Sequence, residues 1–225
     1  MVDTQRVGPI LRLLFVGAAL MASRLPSAGA DISPSPWDAY NRGVRAYAAG
    51  QYSAAFDCWR DLTSQPLPRR LRSAVWFQSG NAQFRLGEPH ETNAPEQAVE
   101  WWRRALESYR VALERSPRHG ATRHNYDLVR RRLARVLHRL GMEALEAAQK
   151  QPLDPAIDLL EDGLAKADEA VLWHPEDGAL RVDLERIEAA LKERWIERAA
   201  GAEAKGDVEA ARNTSWGDLE AESKY

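Results

Sequence analysis

Histidine, cysteine and the carboxylates are the side chains of this sequence that could carry catalysis or hold a metal ion. His119 and His124 are five positions apart, so on a helix they would point in different directions, and no HExxH spacing occurs. The sequence has no Gly-x-Ser-x-Gly motif. A single cysteine, Cys58, forms neither an internal disulfide nor a cysteine-based zinc site. We therefore expect no catalytic residue, no metal site and no cofactor, and a protein that is not an enzyme.

Recognition of a peptide is a second kind of chemistry that the residue types allow. Each of two sets falls at i, i+4 and i+7, and so on one face of a helix: Tyr40, Val44 and Tyr47, and Phe77, Asn81 and Phe84. Aromatic rings can cover the apolar side chains of a ligand, while Asn and Arg bond its main chain or carboxylates. The alternative is that these rings pack inside the protein against neighbouring helices.

The composition narrows the class of protein. The chain has 225 residues, of which 44% are hydrophobic and 28% charged, which suits one globular or repeat domain or two small ones. Beyond the first thirty residues no apolar run approaches the ~20 residues that span a bilayer. The 8 tryptophans argue against wholesale disorder. A formal charge of -2 gives no general attraction to nucleic acid.

The first thirty residues have the order of a secretory signal. Arg6 and Arg12 precede an apolar run at 13–22, and Ala28-Gly29-Ala30 follows it before Asp31. We expect a signal peptide over 1–30, cleaved near Ala30, and an exported protein, periplasmic or extracellular, with no stable membrane span after cleavage. Retention of the segment as an uncleaved anchor is the alternative.

The rest of the chain predicts helices separated by sparse breakers. Pro36 and Pro95 suit a first helical turn, Gly50 and Gly87 suit helix ends that need a left-handed residue, and Asp154 suits a helix cap. No run alternates convincingly between apolar and polar residues, so we expect an all-α fold. The predicted helices are 36–49, 52–64, 69–86, 95–115, 119–149, 153–173 and 176–204.

An internal repeat appears at a shift of 58 residues. The shift aligns Pro117 with Pro175, and it also places Leu106 on Leu164, Ala112 on Ala170, Leu113 on Val171, Gly120 on Gly178, Ala121 on Ala179 and Arg123 on Arg181. Stacked helix pairs would produce such a pattern. Chance similarity between two helices rich in Ala and Arg is the alternative.

Successive segments also share one order of residues: an aromatic residue, a Gly, and then an Ala four positions before another aromatic residue. The first segment contains Tyr40-Asn41-Arg42-Gly43 and Ala55-x3-Trp59, and the second contains Trp76-x2-Ser79-Gly80, Ala105-x3-Tyr109 and Pro117. This order resembles the tetratricopeptide-repeat (TPR) family. The resemblance covers the predicted domain at 31–212, in units of about 36–68, 72–117, 133–175 and a partial 192–212, followed by a polar tail at 213–225.

The resemblance implies an irregular solenoid of antiparallel helix pairs. Gly43, Gly80, Ala55 and Ala105 would let paired helices approach closely. The second unit is extended by an insertion from Glu88 to about residue 100, whose first part, 88–94, predicts an exposed loop. An extra amphipathic stretch at 121–136 separates the second and third units, so we expect long connecting helices.

The resemblance further implies a concave face that binds a partner protein or peptide, in a non-catalytic adaptor or scaffold of the cell envelope. A structural or assembly factor that self-associates is the alternative, and an enzyme subunit is a third class. The concave-face positions that the resemblance implies are Trp37, Tyr40, Val44, Tyr47, Phe77, Asn81, Phe84, Arg85, His124, Leu128 and Arg131. The run from Ser116-Pro117 to Asp127-Leu128-Val129 is also similar to one in Bat-type (aerotolerance) envelope TPR proteins, which implies von Willebrand-type and MoxR-type ATPase partners.

Charge is segregated along the chain. Residues 60–150 carry 17 basic and 10 acidic side chains, and residues from 151 onward carry 9 and 19. The densest cluster, Arg130-Arg131-Arg132, would fan around most of a helical turn. The cluster has three possible interpretations: a solvated helix face, a docking site for an acidic partner or for an acidic helix of this chain, and a nucleic-acid site. The overall acidity of the chain disfavours the nucleic-acid site.

Overall fold

The computed structural model describes residues 35–204, and side chains as far as residue 202. The predicted signal peptide, the end of the partial fourth unit and the polar tail lie outside the described residues. The described chain forms seven α-helices and no strand, so the all-α prediction is confirmed. The helices are α1 (Pro36–Ala48), α2 (Tyr52–Thr63), α3 (Arg69–Gly87), α4 (Pro95–Arg115), α5 (Gly120–Ala148), α6 (Leu153–Trp173) and α7 (Gly178–Ala204), with a short 3-10 helix at Glu88–His90.

The helices pack as successive antiparallel neighbours in two layers. Each helix contacts the next one along the chain, and α1, α3, α5 and α7 also contact one another in order. The odd-numbered helices therefore form one layer and the even-numbered helices the other, as in a helical-repeat fold. Among the helices of 35–204, none has an apolar stretch long enough to cross a bilayer.

The 58-residue shift relates two helix pairs in the structure. Helices α4 and α6 both have 21 residues and begin at Pro95 and Leu153, while α5 and α7 begin at Gly120 and Gly178. The residues that end α4 and α6 also match, because Ser116 has φ -140° and ψ 71° and His174 has φ -139° and ψ 64°. Helix α6 therefore repeats the length and the end of α4, and α7 begins at the position equivalent to the start of α5.

Glycines of the odd-numbered helices lie beneath buried aromatic rings of the helices that follow. A Cβ placed on Gly80 would lie 2.6 Å from Cε1 of Tyr109, and one placed on Gly87 would lie 2.5 Å from Nε1 of Trp102. Gly43 meets the ring of Trp59 in the same way. These contacts explain the glycines predicted at close crossings, since the rings occupy the space that a side chain would need.

Two of these rings also fasten the helices by a hydrogen bond. Trp59 Nε1 donates to the carbonyl oxygen of Tyr40 at 3.2 Å, and Trp102 Nε1 donates to that of Phe84 at 3.2 Å. Each acceptor precedes the covered glycine by three residues, Gly43 in the first case and Gly87 in the second. One indole therefore both fills the crossing and pairs a buried N–H group.

Helices α5 and α6 have no aromatic ring at the crossing that corresponds to those of α1 with α2 and of α3 with α4. Ala167 stands 58 positions after Tyr109, and a Cβ on Gly141 would lie 3.3 Å from the Cβ of Ala167 and 2.9 Å from the carbonyl oxygen of Gly163. The backbones of α5 and α6 consequently approach each other directly. Small residues replace the ring, which makes this pair tighter than the two before it.

Two local predictions need correction. Gly50 has the predicted positive φ, +75°, but Gly87 has φ -75° and ends α3 in helical geometry under Trp102. Asp154 is not a cap, because α6 already begins at Leu153. The stretch 121–136 is the first half of the continuous helix α5, which agrees with the predicted helix at 119–149.

The segment 88–94 is also not a simple exposed loop. It begins with the 3-10 helix Glu88–His90, and the side chains of Glu88 and Glu91 are about three-quarters buried. Arg132 of α5 pairs with both carboxylates, and Arg139 Nη2 donates to the carbonyl oxygen of Glu91 at 2.6 Å. The polar residues that suggested a solvated loop instead hold the segment against α5.

Candidate functional site

A groove of about 390 Å³ lies between α1, α3 and α5. Helix α1 contributes a residue at its carboxyl end, α3 contributes its second half, and α5 contributes its first half. We call it the α1–α3–α5 groove, and its lining residues are Tyr47, Asn81, Phe84, Arg85, Glu88, Tyr109, Asn125, Leu128, Val129 and Arg132.

The floor of the groove is a polar cluster centred on Asn81. Its Oδ1 atom accepts hydrogen bonds from the Tyr109 hydroxyl and from Asn125 Nδ2, both at 2.8 Å, and its Nδ2 atom donates to Gln78 at 3.0 Å. Burial raises the pKa of Tyr109, so its phenol stays protonated and keeps its donor. The cluster joins α3, α4 and α5, which means that the Asn81 oxygen is occupied by the protein itself.

Charged side chains form one edge of the groove and compensate one another. Arg85 Nη1 donates to Glu88 at 2.8 Å, and Arg132 Nη1 donates to the other oxygen of the same carboxylate at 2.9 Å. Hydrogen bonds with Glu88 and then Tyr47 raise the pKa of Arg85. Arg132 also lies 5.4 Å from the ring centre of Phe84, within cation–π range. This edge is therefore held in place and carries little net charge.

Part of the groove lining is apolar, although polar surface predominates. Leu128 is 37% exposed, and Tyr47 and Phe84 are half-buried beside it. Trp37 and Val44 add exposed apolar surface on α1. A few apolar side chains next to fixed polar groups leave a surface that can accommodate a ligand's side chain.

The structure brings some of the predicted binding residues together in this groove and places others outside its lining. Tyr47, Asn81, Phe84, Arg85 and Leu128 line it. The predicted residues that do not line it are Trp37, Tyr40, Val44, Phe77, His124 and Arg131.

Two aromatic residues among the latter have internal ring contacts instead. Phe77 lies between the rings of Tyr109 and His119, with centroid distances of 6.2 and 5.1 Å. Tyr40 lies 6.4 Å from the ring of Trp59. The alternative that aromatic residues pack inside the array therefore describes both of them.

Five lining residues were missed by the sequence reasoning: Glu88, Tyr109, Asn125, Val129 and Arg132. Asn125, Leu128, Val129 and Arg132 fall at i, i+3, i+4 and i+7, so the period of α5 could have found them once Leu128 was chosen. Glu88 and Tyr109 carry no such signal, because they reach the groove through tertiary packing.

The arginine cluster of α5 splits among different partners. Arg130 donates to the carbonyl oxygen of Trp173 at 2.7 Å and pairs with Glu176 at 2.6 Å, whereas Arg131 is exposed. Arg132 pairs with the carboxylates of the 88–94 segment. The three side chains point in different directions, as their consecutive positions predicted, and two of them bind acidic residues of this chain.

The part of the chain that the structure describes contains no group of three or more His, Cys, Asp and Glu residues placed to hold a metal ion. His138 is paired with Asp183 at 2.9 Å, and Cys58 is half-buried on α2. Comparison of the sequence with models of protein families and with curated proteins finds no match. The resemblance to the TPR family thus remains a prediction that depends on the residue order described above.

Proposed function

We propose that this chain is a non-catalytic interaction protein that binds a partner protein or peptide in the α1–α3–α5 groove. The observation that carries the proposal is a groove in which the exposed Leu128 and the half-buried Tyr47 and Phe84 lie among polar groups whose positions are fixed by hydrogen bonds. Preorganised polar groups reduce the entropic cost of binding, and burial of apolar surface supplies the affinity. The resemblance to TPR proteins, many of which are adaptors, supports the same function.

The proposal includes the cellular location of the protein and the class of its partner. The charged, apolar and small-residue order of residues 1–30 supports export to the cell envelope. The likeness of the 116–129 run to Bat-type envelope proteins supports von Willebrand-type or MoxR-type ATPase partners. Neither a nucleic acid nor a cofactor forms part of the proposal.

A photo-crosslinking residue placed in the groove tests the proposal in the native cells. We would introduce it in place of Leu128, and in a matched experiment in place of Val182, which is 57% exposed on α7. An adduct with a second protein should form at position 128 and not at position 182. An adduct at 182 with none at 128 would contradict binding in the groove.

Substitutions then connect the adduct to affinity. In affinity pull-downs without a crosslinker, Leu128→Glu should abolish recovery of the partner that the adduct identified, because it places a charge among the apolar side chains of the groove. Val182→Glu should leave recovery unchanged. Arg85→Ala is a better second variant than Asn81→Ala, since loss of Asn81 would also remove the acceptor of the buried Tyr109 hydroxyl.

Self-association is a second candidate function, favoured by the surface of the last described helix. Val182 and Ile196 lie on the same side of α7 and are 57% and 59% exposed. Exposed apolar side chains on one side of a helix suit contact with another copy. Sedimentation would then show a concentration-dependent dimer that Ile196→Glu disrupts and Leu128→Glu does not.

A further inference from the structure

Arginines without an acidic partner collect at one end of the helix array. This end comprises the start of α3, the end of α4 and the start of α5. A hydrogen bond from Ser73 Oγ to the Ala112 carbonyl oxygen at 3.2 Å joins α3 to α4 there. Among residues 35–204, no carboxylate lies within ion-pair distance of any arginine at this end. These arginines are Arg69, Arg70, Arg72, Arg115, Arg118 and Arg123.

Elsewhere on α4 arginine is paired. On α4, Arg104 pairs with Glu100 at 2.7 Å, and Arg110 pairs with Glu107 at 2.5 Å and also with Glu114. Pairing at i+3 or i+4 is thus the pattern along α4. This pairing of arginines is absent at the end of the array formed by the start of α3, the end of α4 and the start of α5.

Three of the unpaired arginines surround an open pocket of about 330 Å³. Its lining residues are Arg69, Arg72, Glu114 and Arg115, and Glu114 is the carboxylate already paired with Arg110. Arg72 uses one guanidinium nitrogen to donate to the Leu67 carbonyl oxygen at 2.9 Å, which leaves the rest of its fork available. Positive charge therefore exceeds negative charge in the pocket.

The positions of two of these side chains add to the imbalance. Arg69 and Arg72 stand in the first turn of α3. The helix dipole there favours an anion and disfavours a cation. A bound anion would offset both the mutual repulsion of the guanidinium groups and the unfavourable field of the helix.

We propose that this pocket binds an acidic segment of a partner protein through guanidinium–carboxylate pairs, at a surface separate from the α1–α3–α5 groove. The guanidinium fork matches a carboxylate in two-point contact. The pocket has roughly ten times the ~30 Å³ of one water molecule, which is room for more than one acidic side chain. The whole chain carries a net charge of -2, so most of its surface would not attract an acidic partner. The basic end would, and it would therefore determine the orientation in which the two proteins meet.

Fluorescence anisotropy of a labelled octaglutamate peptide tests the assignment on the full chain, at low and at physiological salt. Arg69→Gln/Arg115→Gln should weaken binding about five- to tenfold, since two exposed ion pairs are lost. The matched control is Arg135→Gln/Arg181→Gln, which removes the same charge from two exposed arginines elsewhere and should change affinity less than twofold. Circular dichroism should show the same helicity in all three proteins.

Three results would overturn the proposal. Equal weakening in both double variants would mean that the peptide responds only to net charge. If the unchanged protein does not measurably bind the octaglutamate peptide at low salt, the pocket is not a binding site for acidic segments. Binding of inorganic pyrophosphate in place of the peptide, at lower concentration and with the same dependence on Arg69 and Arg115, would identify a phosphate site instead of a protein contact.

Discussion

The ring of Tyr109 lies where a side chain on Gly80 would have to go. A Cβ on Gly80 would be 2.6 Å from Cε1 and 2.7 Å from Cδ1 of that ring, and Tyr109 is only 1% exposed. The ring cannot move outwards, because its hydroxyl is held by Asn81 at the floor of the groove. Gly80 and Tyr109 therefore determine where the groove floor lies and, together with Gly87 and Trp102, how closely α3 and α4 approach.

Gly80→Ala should destabilise the protein. The added methyl group overpacks a buried crossing, at a cost of about 1–3 kcal/mol, from which the better helix propensity of Ala recovers up to ~1 kcal/mol. Urea denaturation followed by circular dichroism measures the change. Gly120→Ala is the control, because no atom outside its own neighbourhood lies within 4 Å of a Cβ at that position; equal stability of the two variants would contradict the crossing.

The Asn81–Tyr109 hydrogen bond should show coupling in a double-mutant cycle. Asn81→Ala leaves the buried Tyr109 hydroxyl without its acceptor and should cost about 1–3 kcal/mol. Tyr109→Phe in the same background should restore part of that loss, since the unpaired hydroxyl is removed. Free energies of unfolding from urea titration give the coupling energy, and strictly additive losses would show that the bond contributes nothing.

Arg132 should control the order of the 88–94 segment. Arg132→Gln removes its ion pairs with Glu88 and Glu91, so the amides of this segment should exchange hydrogen for deuterium faster. Mass spectrometry of peptides that cover 88–94 measures the rate. Arg135→Gln, an exposed arginine on the same helix, should leave these rates unchanged; a similar acceleration in both variants would argue against a local effect.

Glu176 should titrate abnormally because of Arg130. The hydrogen bond from the Arg130 guanidinium lowers the pKa of the Glu176 carboxyl from an ordinary 4.5 to about 2. A carboxyl whose folded pKa is lowered stabilises the fold above its ordinary pKa, and this stabilisation is lost as pH falls from 4.5 towards 2. Carboxyl carbon chemical shifts followed against pH should show the low pKa, and Arg130→Gln should return it towards 4.5.

Arg135→Gln is the control for that titration, since this exposed side chain is on α5 but has no ion-pair partner among residues 35–204. It should leave the pKa of Glu176 unchanged. A Glu176 carboxyl that titrates near 4.5 in the unchanged protein would contradict the contact between α5 and the turn before α7.

The helices were predictable because their signals are local. Pro36 and Pro95 begin α1 and α4, Gly50 adopts the left-handed conformation after α1, and every predicted helix end lies within two residues of the observed one. The repeat at a shift of 58 residues is likewise visible in the sequence alone. About half of the groove could be named in advance, since Tyr47, Asn81 and Phe84 follow the helical period and the resemblance to TPR proteins implied Arg85 and Leu128.

The remaining features depend on distances between helices, which the period of a single helix does not contain. The sequence alone determined which segments become helices and which glycines and aromatic residues are available, because backbone preferences and apolar periodicity act over a few neighbouring residues. Only the tertiary structure decided that Tyr109 covers Gly80, that Asn81 bonds within the protein, and that Arg132 holds Glu88 and Glu91. Those contacts join residues 28 to 44 positions apart and are set by how closely whole helices pack.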